Sequence, residues 1–190
     1  MSQSTRKLWA AKLSGTLKQC PSQEPTIIAK RIEGIILGVD PSLRGTGIAI
    51  VEAKGREWRL LHSQTLKHPQ SMSMATCLGS IHRTVAEVIT QYRPQYAALE
   101  QVIYVQNSRT ALTMGSARGA AISAIALAGL DVCEYPPRLV KQSVSGYGAA
   151  SKEQVGGQIK AFLRLDSLLP PDESDAAAVC ICHSLRQGVV

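Results

Sequence analysis

Four carboxylates of this 190-residue chain stand where an apolar run meets a break. Asp40 closes the run Ile35-Ile36-Leu37-Gly38-Val39, just before Pro41 and Ser42. Glu100 closes Tyr96-Ala97-Ala98-Leu99. Asp172 and Asp175 follow Pro170-Pro171 and lead into an Ala-rich stretch; a separation of three residues puts both on one face of a helix. An ionised carboxylate inside an apolar element is costly unless a cation meets it. Carboxylates gathered in one crevice repel, so three or four of them need divalent cations among them. Oxygen-only ligands suit Mg²⁺ or Mn²⁺. Two such ions about 3.5–4 Å apart can clamp the attacking water and the leaving oxygen of a phosphodiester. Singly, each acid has a plainer reading. Asp40 suits a turn before Pro41, Glu100 a strand-end surface charge, and Asp172 with Asp175 the N-terminal dipole of a helix. The joint pattern is what points to metal-assisted phosphodiester chemistry.

The elements that must hold these acids can be read from the hydrophobic pattern. Residues 35–40 form a short strand, Gly45-Thr46-Gly47 a turn, and 47–52 a second strand, together a hairpin. Trp58, Leu60 and His62 alternate and predict a third strand over about 57–66. Leu78, Ile81, Val85, Val88 and Ile89 carry helical periodicity from Met74 to Tyr92, and Pro94 stops that helix. Residues 96–100 read as a fourth strand and 132–135 as a fifth. Between them Asn107 to Gly129 is a long helix of small residues. Arg118 at its middle argues against a membrane span. Pro137 to Gly148 reads as a loop with room for a short helix, and Ser151 caps the helix that opens at Lys152. Pro170-Pro171 breaks the chain before a last helix over Ser174 to Leu185. The order predicts an α/β fold: a mixed five-stranded sheet, its first three strands antiparallel, flanked by helices.

Bulk properties narrow the class. Apolar residues make up 45% of the chain and charged ones 18%, a globular composition. The net charge is +7. Residues 1–34 hold six Lys and Arg against Glu24 and Glu33, a net +4, and the rest carries +3. A basic balance suits a polyanionic partner such as nucleic acid. With four carboxylates neutralised by metal, residues 35–190 present 15 basic groups against 8 other acids. Residues 1–34 read as a flexible basic extension to a domain over 35–190, with an organelle transit peptide as the lesser reading, since no acid precedes Glu24. Cys20, Cys77, Cys133, Cys180 and Cys182 are odd in number and scattered, which argues for reduced thiols and against a zinc ribbon. Cys180, Cys182 and His183 are spaced too closely on a helix to share a face as ligands.

The motifs resemble the bacterial RuvC family of Holliday junction resolvases from about Ile35 to His183. ILGVDPSLRGTGIAIV is similar to that family's first hairpin. Glu100-Gln101-Val102, with Asn107, Ala111-Leu112, Gly115 and Ala117-Arg118-Gly119, resembles its second acidic motif and central helix. Glu134-Tyr135, Val140-Lys141-Gln142, Gly146-Tyr147-Gly148 and Lys152 resemble its basic loop, and Asp172-x-x-Asp175-Ala176-x-Ala178 its closing acidic helix. The resemblance implies a ribonuclease H-like fold. It implies Asp40, Glu100, Asp172 and Asp175 as catalytic ligands of two Mg²⁺ per subunit, with Mn²⁺ as a substitute. It implies paired, symmetric nicks in four-way DNA junctions by a metal-activated water, in recombination and repair. A homodimer follows from the two-fold substrate, with the helix over 107–129 as its seam. The implied DNA contacts are Lys141, Lys152, Tyr104 and Arg109, and Lys152 also suits charge developing at the scissile phosphate. A branch-migration motor would be a further partner, and the bacterial cytoplasm the location. Two departures stand out. Ile103 holds a place where the family often has an aromatic, so either the neighbouring Tyr104 does the stacking or junction opening differs. Residues 1–34 have no counterpart in the family core. Three alternatives remain: a junction-binding protein without cleavage, a ribonuclease H-like enzyme on RNA–DNA hybrids, and an actin-like or sugar-kinase-like nucleotide-binding module.

Overall fold

The computed structural model describes residues 31–101 and 107–186. Strands β1 (Gly34–Asp40), β2 (Gly45–Lys54) and β3 (Glu57–Lys67) form an antiparallel meander. Helix α1 (Met74–Tyr92) returns the chain to β4 (Tyr96–Glu100), which pairs parallel to β1. Helix α2 (Ser108–Leu127) leads to β5 (Val132–Tyr135), parallel to β4. Three helices follow: α3 (Pro137–Ser145), α4 (Lys152–Phe162) and α5 (Pro171–Arg186). The sheet order is β3-β2-β1-β4-β5. The expected mixed sheet is therefore the observed one.

Alternation along the strands divides the core in two. Leu37, Val39, Ile48 and Ile50 pack under α1 and α2. Ile36, Ala49, Val51 and Ala98 pack under α5, with α3 and α4 beside it. The period of two then decides where the strand-end acids lie. Asp40 is in phase with Ile36, and Glu100 with Ala98, so both belong to the α5 side.

Two glycines let α5 lie directly on that side. A Cβ at Gly38 would overlap the Ala176 carbonyl, and one at Gly47 the Asp172 carbonyl. Neither glycine has a positive φ. The requirement is close backbone approach, not a special turn.

Three expectations need correction. The last helix starts at Pro171, not Ser174. Proline suits a first helical position because its missing N–H has no intrahelical partner there; the Ser174 N–H already bonds Pro170 O at 2.9 Å. Asp172 thus lies inside the first turn. The simple alternation of Trp58, Leu60 and His62 also fails. A bulge lies opposite Ile50/Val51, where Ile50 pairs with His62 and Val51 with Leu60. It reverses the facing of everything after it. Trp58 and Leu60 pack on the α5 side, whereas His62 stacks on Tyr92 of α1 with ring centroids 5.2 Å apart. Finally, Gly45-Thr46-Gly47 open β2 instead of forming the turn, which lies over residues 41–44, while the short helix allowed after Pro137 is α3, closed by Gly146 at φ 77°.

Residues 31–33 are tied to the body. The Ile32 N–H bonds Ser184 O at 3.1 Å, Glu33 accepts from the Gly55 N–H, and Arg31 lies over the Trp58 ring. Of the extension expected over residues 1–34, residues 1–30 lie outside the described residues.

Candidate active site

The ends of β1 and β4 deliver the first two acids side by side. Val39 pairs with Leu99 in parallel register, so Asp40 and Glu100 are the next residues of adjacent strands. The chain after Asp40 is pinned. Thr46 Oγ1, fully buried, donates to Ser42 O at 2.6 Å, and Arg44 Nη1 donates to Pro69 O at 2.6 Å and Met72 O at 3.0 Å. Asp172 and Asp175 come from the first turns of α5, brought over β2 by the bare Cα of Gly47. A Cβ at Gly45 would stand 3.1 Å from Asp172 Oδ2. Three elements distant in sequence thus place four carboxylates at one end of the sheet.

Electrostatics registers that convergence. The Asp40 carboxyl is pushed up to about 6, first by burial, then by the charges of Asp175 and Asp172. Glu100 is pushed up to about 7, again first by burial, then by Asp40 and Asp175. Both are restrained by Lys152, and Glu100 also by Lys141. Lys152 Nζ lies 2.9 Å from Asp175 Oδ2, and that hydrogen bond raises the lysine pKa. The exposure of Lys152 makes this a weak pair, worth at most about 1 kcal/mol.

The donor set is oxygen-only and mutually repulsive, which fits a hard divalent cation. Among the described residues, no three His, Cys, Asp or Glu side chains form a closed metal cluster. Coupling across the mouth, not a preformed cage, is what the geometry shows. Cys180, Cys182 and His183 instead serve the core. Cys180 Sγ donates to Ile36 O at 3.5 Å, Cys182 Sγ lies 3.4 Å from Ser143 Oγ, and His183 Nδ1 is 2.8 Å from Tyr135 Oη. Burial pushes the Cys180 thiol up and holds His183 down at about 4, so the imidazole is neutral.

Of the other sequence candidates, Lys141 is half-buried on α3 and acts on Glu100. Lys152 opens α4 behind the Ser151–Gln154 capping box. Arg109 is exposed in the first turn of α2, whose N-cap is Asn107. Tyr104 and Ile103 lie outside the described residues.

Two supports escaped the sequence reading. Arg118 Nη1 donates to Glu100 O at 2.7 Å, and Arg118 Nη2 lies 2.6 Å from Glu134 Oε1. Both side chains are nearly buried, and the ion pair is not an aligned hydrogen bond. Arg118 stands among small residues at the middle of a helix whose other charge, Arg109, is in the first turn, and that was a signal that it needed an acid. The second support is Glu173, which accepts from Ser63 Oγ at 2.6 Å and Thr65 Oγ1 at 3.2 Å. It ties the first turn of α5 to β3. The β3 bulge is what turns those two hydroxyls toward α5, and nothing in the local sequence announces it.

Known proteins share this sequence pattern and this fold. The family model described as crossover junction endodeoxyribonuclease RuvC matches residues 36–183. A protein of that name from Halorhodospira halophila is 46% identical over 149 residues, 78% of this chain and 89% of its own. Another, from Akkermansia muciniphila, is 43% identical over 148 residues, 78% of this chain and 89% of its own. Among solved structures, T. thermophilus RuvC in complex with Holliday junction substrate aligns at a TM-score of 0.76 and 32% identity, covering 79% of this chain and 92% of that one. A yeast mitochondrial Holliday junction resolvase shares the fold at a TM-score of 0.55 and 10% identity, covering 83% of this chain and 79% of that one.

Proposed function

The chain belongs to the RuvC family of crossover junction endodeoxyribonucleases, and from that premise we propose that it resolves four-way DNA junctions through Asp40, Glu100, Asp172 and Asp175. It is a nuclease, a hydrolase acting on DNA, and its family depends on divalent metal. The finer reading is two Mg²⁺ per subunit, with Mn²⁺ able to substitute. Ions bound there would supply an activated water and offset the charge that builds on the phosphate. The four carboxylates would hold them. Lys152, beside Asp175, would balance negative charge near the scissile phosphate. Lys141 and Arg109 would meet the DNA backbone, and Tyr104 the bases at the crossover.

The observation that carries this reading is the convergence of β1, β4 and α5, with the Asp40 and Glu100 carboxyls both pushed up by burial and then by neighbouring carboxylates. Paired cuts in a two-fold substrate call for an isologous dimer. Helix α2 supports it with two faces. Ala117, Ala121, Ala124 and Ile125 are buried in the chain's own core, while Leu112 is 71% exposed and Gly115 and Gly119 face open space. A branch-migration motor would act upstream of cleavage. No helix among the described residues is long and apolar enough to cross a membrane, and a role on chromosomal DNA suits the bacterial cytoplasm. Residues 1–34 would add nonspecific DNA affinity through their net +4.

The test is cleavage of a synthetic four-way junction, beside a linear duplex and an RNA–DNA hybrid, with Mg²⁺ and with chelator. Symmetric nicks confined to the junction and lost with chelator are expected. Tight junction binding without cuts would make the protein a recognition module, and cleavage of the hybrid alone would move it to another substrate.

A further inference from the structure

A pocket of about 490 Å³ lies between the start of α3 and the loop after it. That volume is in the range of small-ligand sites, roughly 300–1,000 Å³. Arg138, Lys141, Gln142 and Tyr147 line it. Tyr147 is 67% exposed there, although aromatic rings gain most from being covered.

The backbone under that ring is fixed. Gly146 adopts φ 77°, and its N–H closes α3 on Gln142 O at 2.9 Å. Ser145 Oγ accepts from the Tyr147 N–H at 3.3 Å and lies 3.0 Å from Tyr147 O, which it can reach as a donor. A Cβ at Gly148 would stand 2.7 Å from Arg138 Cγ, so the glycine lets the Arg138 stem lie against the loop. The ring is thus carried, largely exposed, on a pinned turn, and Arg138 and Lys141 line the same pocket. Lys141 joins this pocket to the catalytic end, because its charge reaches Glu100. A strand running from the carboxylates past Lys141 would reach the pocket that Tyr147 lines.

We propose that Tyr147 is a stacking platform for one unpaired nucleobase of the substrate beside the crossover, with Arg138 on an adjacent phosphate. The inference rests on the reading of the substrate as junction DNA. Every base has a π-face, so an exposed ring accepts any of them once it is unstacked. In a continuous duplex the bases are enclosed in the stack and would have to be extruded at a cost. At a branch point the stack is interrupted. Tyr147 therefore adds affinity to the junction that it cannot add to linear DNA, and makes the pocket a determinant of structure selectivity.

The test is binding in chelator, where no cutting intervenes, to a four-way junction and to a linear duplex. Each junction carries 2-aminopurine at one of the nucleotides flanking the branch. Stacking on Tyr147 gives one position a fluorescence response that Tyr147→Ala abolishes and Tyr147→Phe keeps. Tyr147→Ala should bind the junction about 5- to 150-fold more weakly, the range of one lost base–aromatic stack. Its linear-duplex affinity and its salt slope should stay unchanged. Arg138→Ala should instead reduce the salt slope by about 1 on the junction. Both side chains are exposed, Arg138 at the start of α3 and Tyr147 on the loop, which keeps these variants folded, as a thermal melt checks. If wild type prefers the junction but Tyr147→Ala matches it in affinity and in every 2-aminopurine response, the platform is wrong and the nuclease reading stands. A wild type without preference for the junction would instead overturn the substrate reading and the platform with it.

Discussion

The acid end of the sheet and the basic rim beside it are built on opposite principles. Asp40 and Glu100 are half-buried continuations of paired strands, and Asp172 sits on a helix pressed backbone to backbone against β2. Arg109, Arg138, Tyr147 and Lys152 are exposed, on helix starts and a loop. Metal ligation tolerates errors of a few tenths of an ångström, so its ligands belong on the most rigid elements. A phosphate backbone is mobile and uniform, and long exposed cations can follow it while losing little. Burial that gives the acids their position also pushes their pKa values up. The rim avoids that cost by staying in water.

Asp40→Asn is the largest break in this comparison. It removes a ligand oxygen and one charge but leaves the cationic rim intact. Cleavage should become undetectable while chelator-phase junction affinity stays equal to or above wild type. Near-normal cutting by this variant in a gel assay would remove Asp40 from the metal site.

Gly47→Ala attacks the rigidity instead of the ligand. The new methyl meets the Asp172 carbonyl, and main chain cannot swing aside as a flexible side chain can. Overpacking of this kind costs about 1–3 kcal/mol, a Tm decrease of roughly 2–12 °C for a chain of this size. Cleavage should fall further than stability does, because Asp172 moves with its helix turn. A variant with wild-type melting and wild-type metal affinity would show that α5 is not held there by close approach.

Titration separates the two regions without mutation. Raised carboxyl pKa values mean that the folded chain binds protons which the unfolded chain releases. The associated destabilisation is absent below the ordinary carboxylate range, near 4, and complete above about 7, the value reached by Glu100. Metal-free protein should therefore lose stability as pH rises from about 4 to 7. Saturating Mg²⁺ should flatten that slope, since metal displaces those protons from the same oxygens and the stability it adds climbs over this interval. Melting curves with chelator and with Mg²⁺ at pH 5, 6, 7 and 8 read both arms. Parallel curves would mean that Asp40 and Glu100 are not the groups metal binds.

Much of the acid end was legible in the sequence because its logic is local. An apolar run that terminates on a carboxylate names both the strand and the acid, and this held for Asp40 and Glu100. The start of α5 was misplaced because a proline signals a break and a first helical residue equally well. The bulge in β3 was invisible, since it depends on how β2 and β3 share register and not on either strand's composition. With it went the Glu173 clamp, whose partners Ser63 and Thr65 lie more than a hundred residues away. Arg118 was read as evidence against a membrane and as part of the central-helix motif, when its burial against Glu134 and the Glu100 carbonyl makes it a brace for β4.

Lys141 gives the smallest expected effect and the sharpest test of the boundary between the regions. It is half-buried like the acids but cationic like the rim, and its charge reaches Glu100. If it belongs to the rim, Lys141→Ala weakens junction and duplex binding alike and lowers the salt slope by about 1, one phosphate's worth of released counterion. Cleavage at saturating DNA then changes little. If it belongs to the acid end, the binding slope stays fixed, while the metal-free pKa of Glu100 climbs and more Mg²⁺ is needed for half-maximal cutting. Salt-dependent binding and Mg²⁺ titration on one variant tell these apart. The rim outcome is expected, because the residue lines the Tyr147 pocket, where a strand would cross.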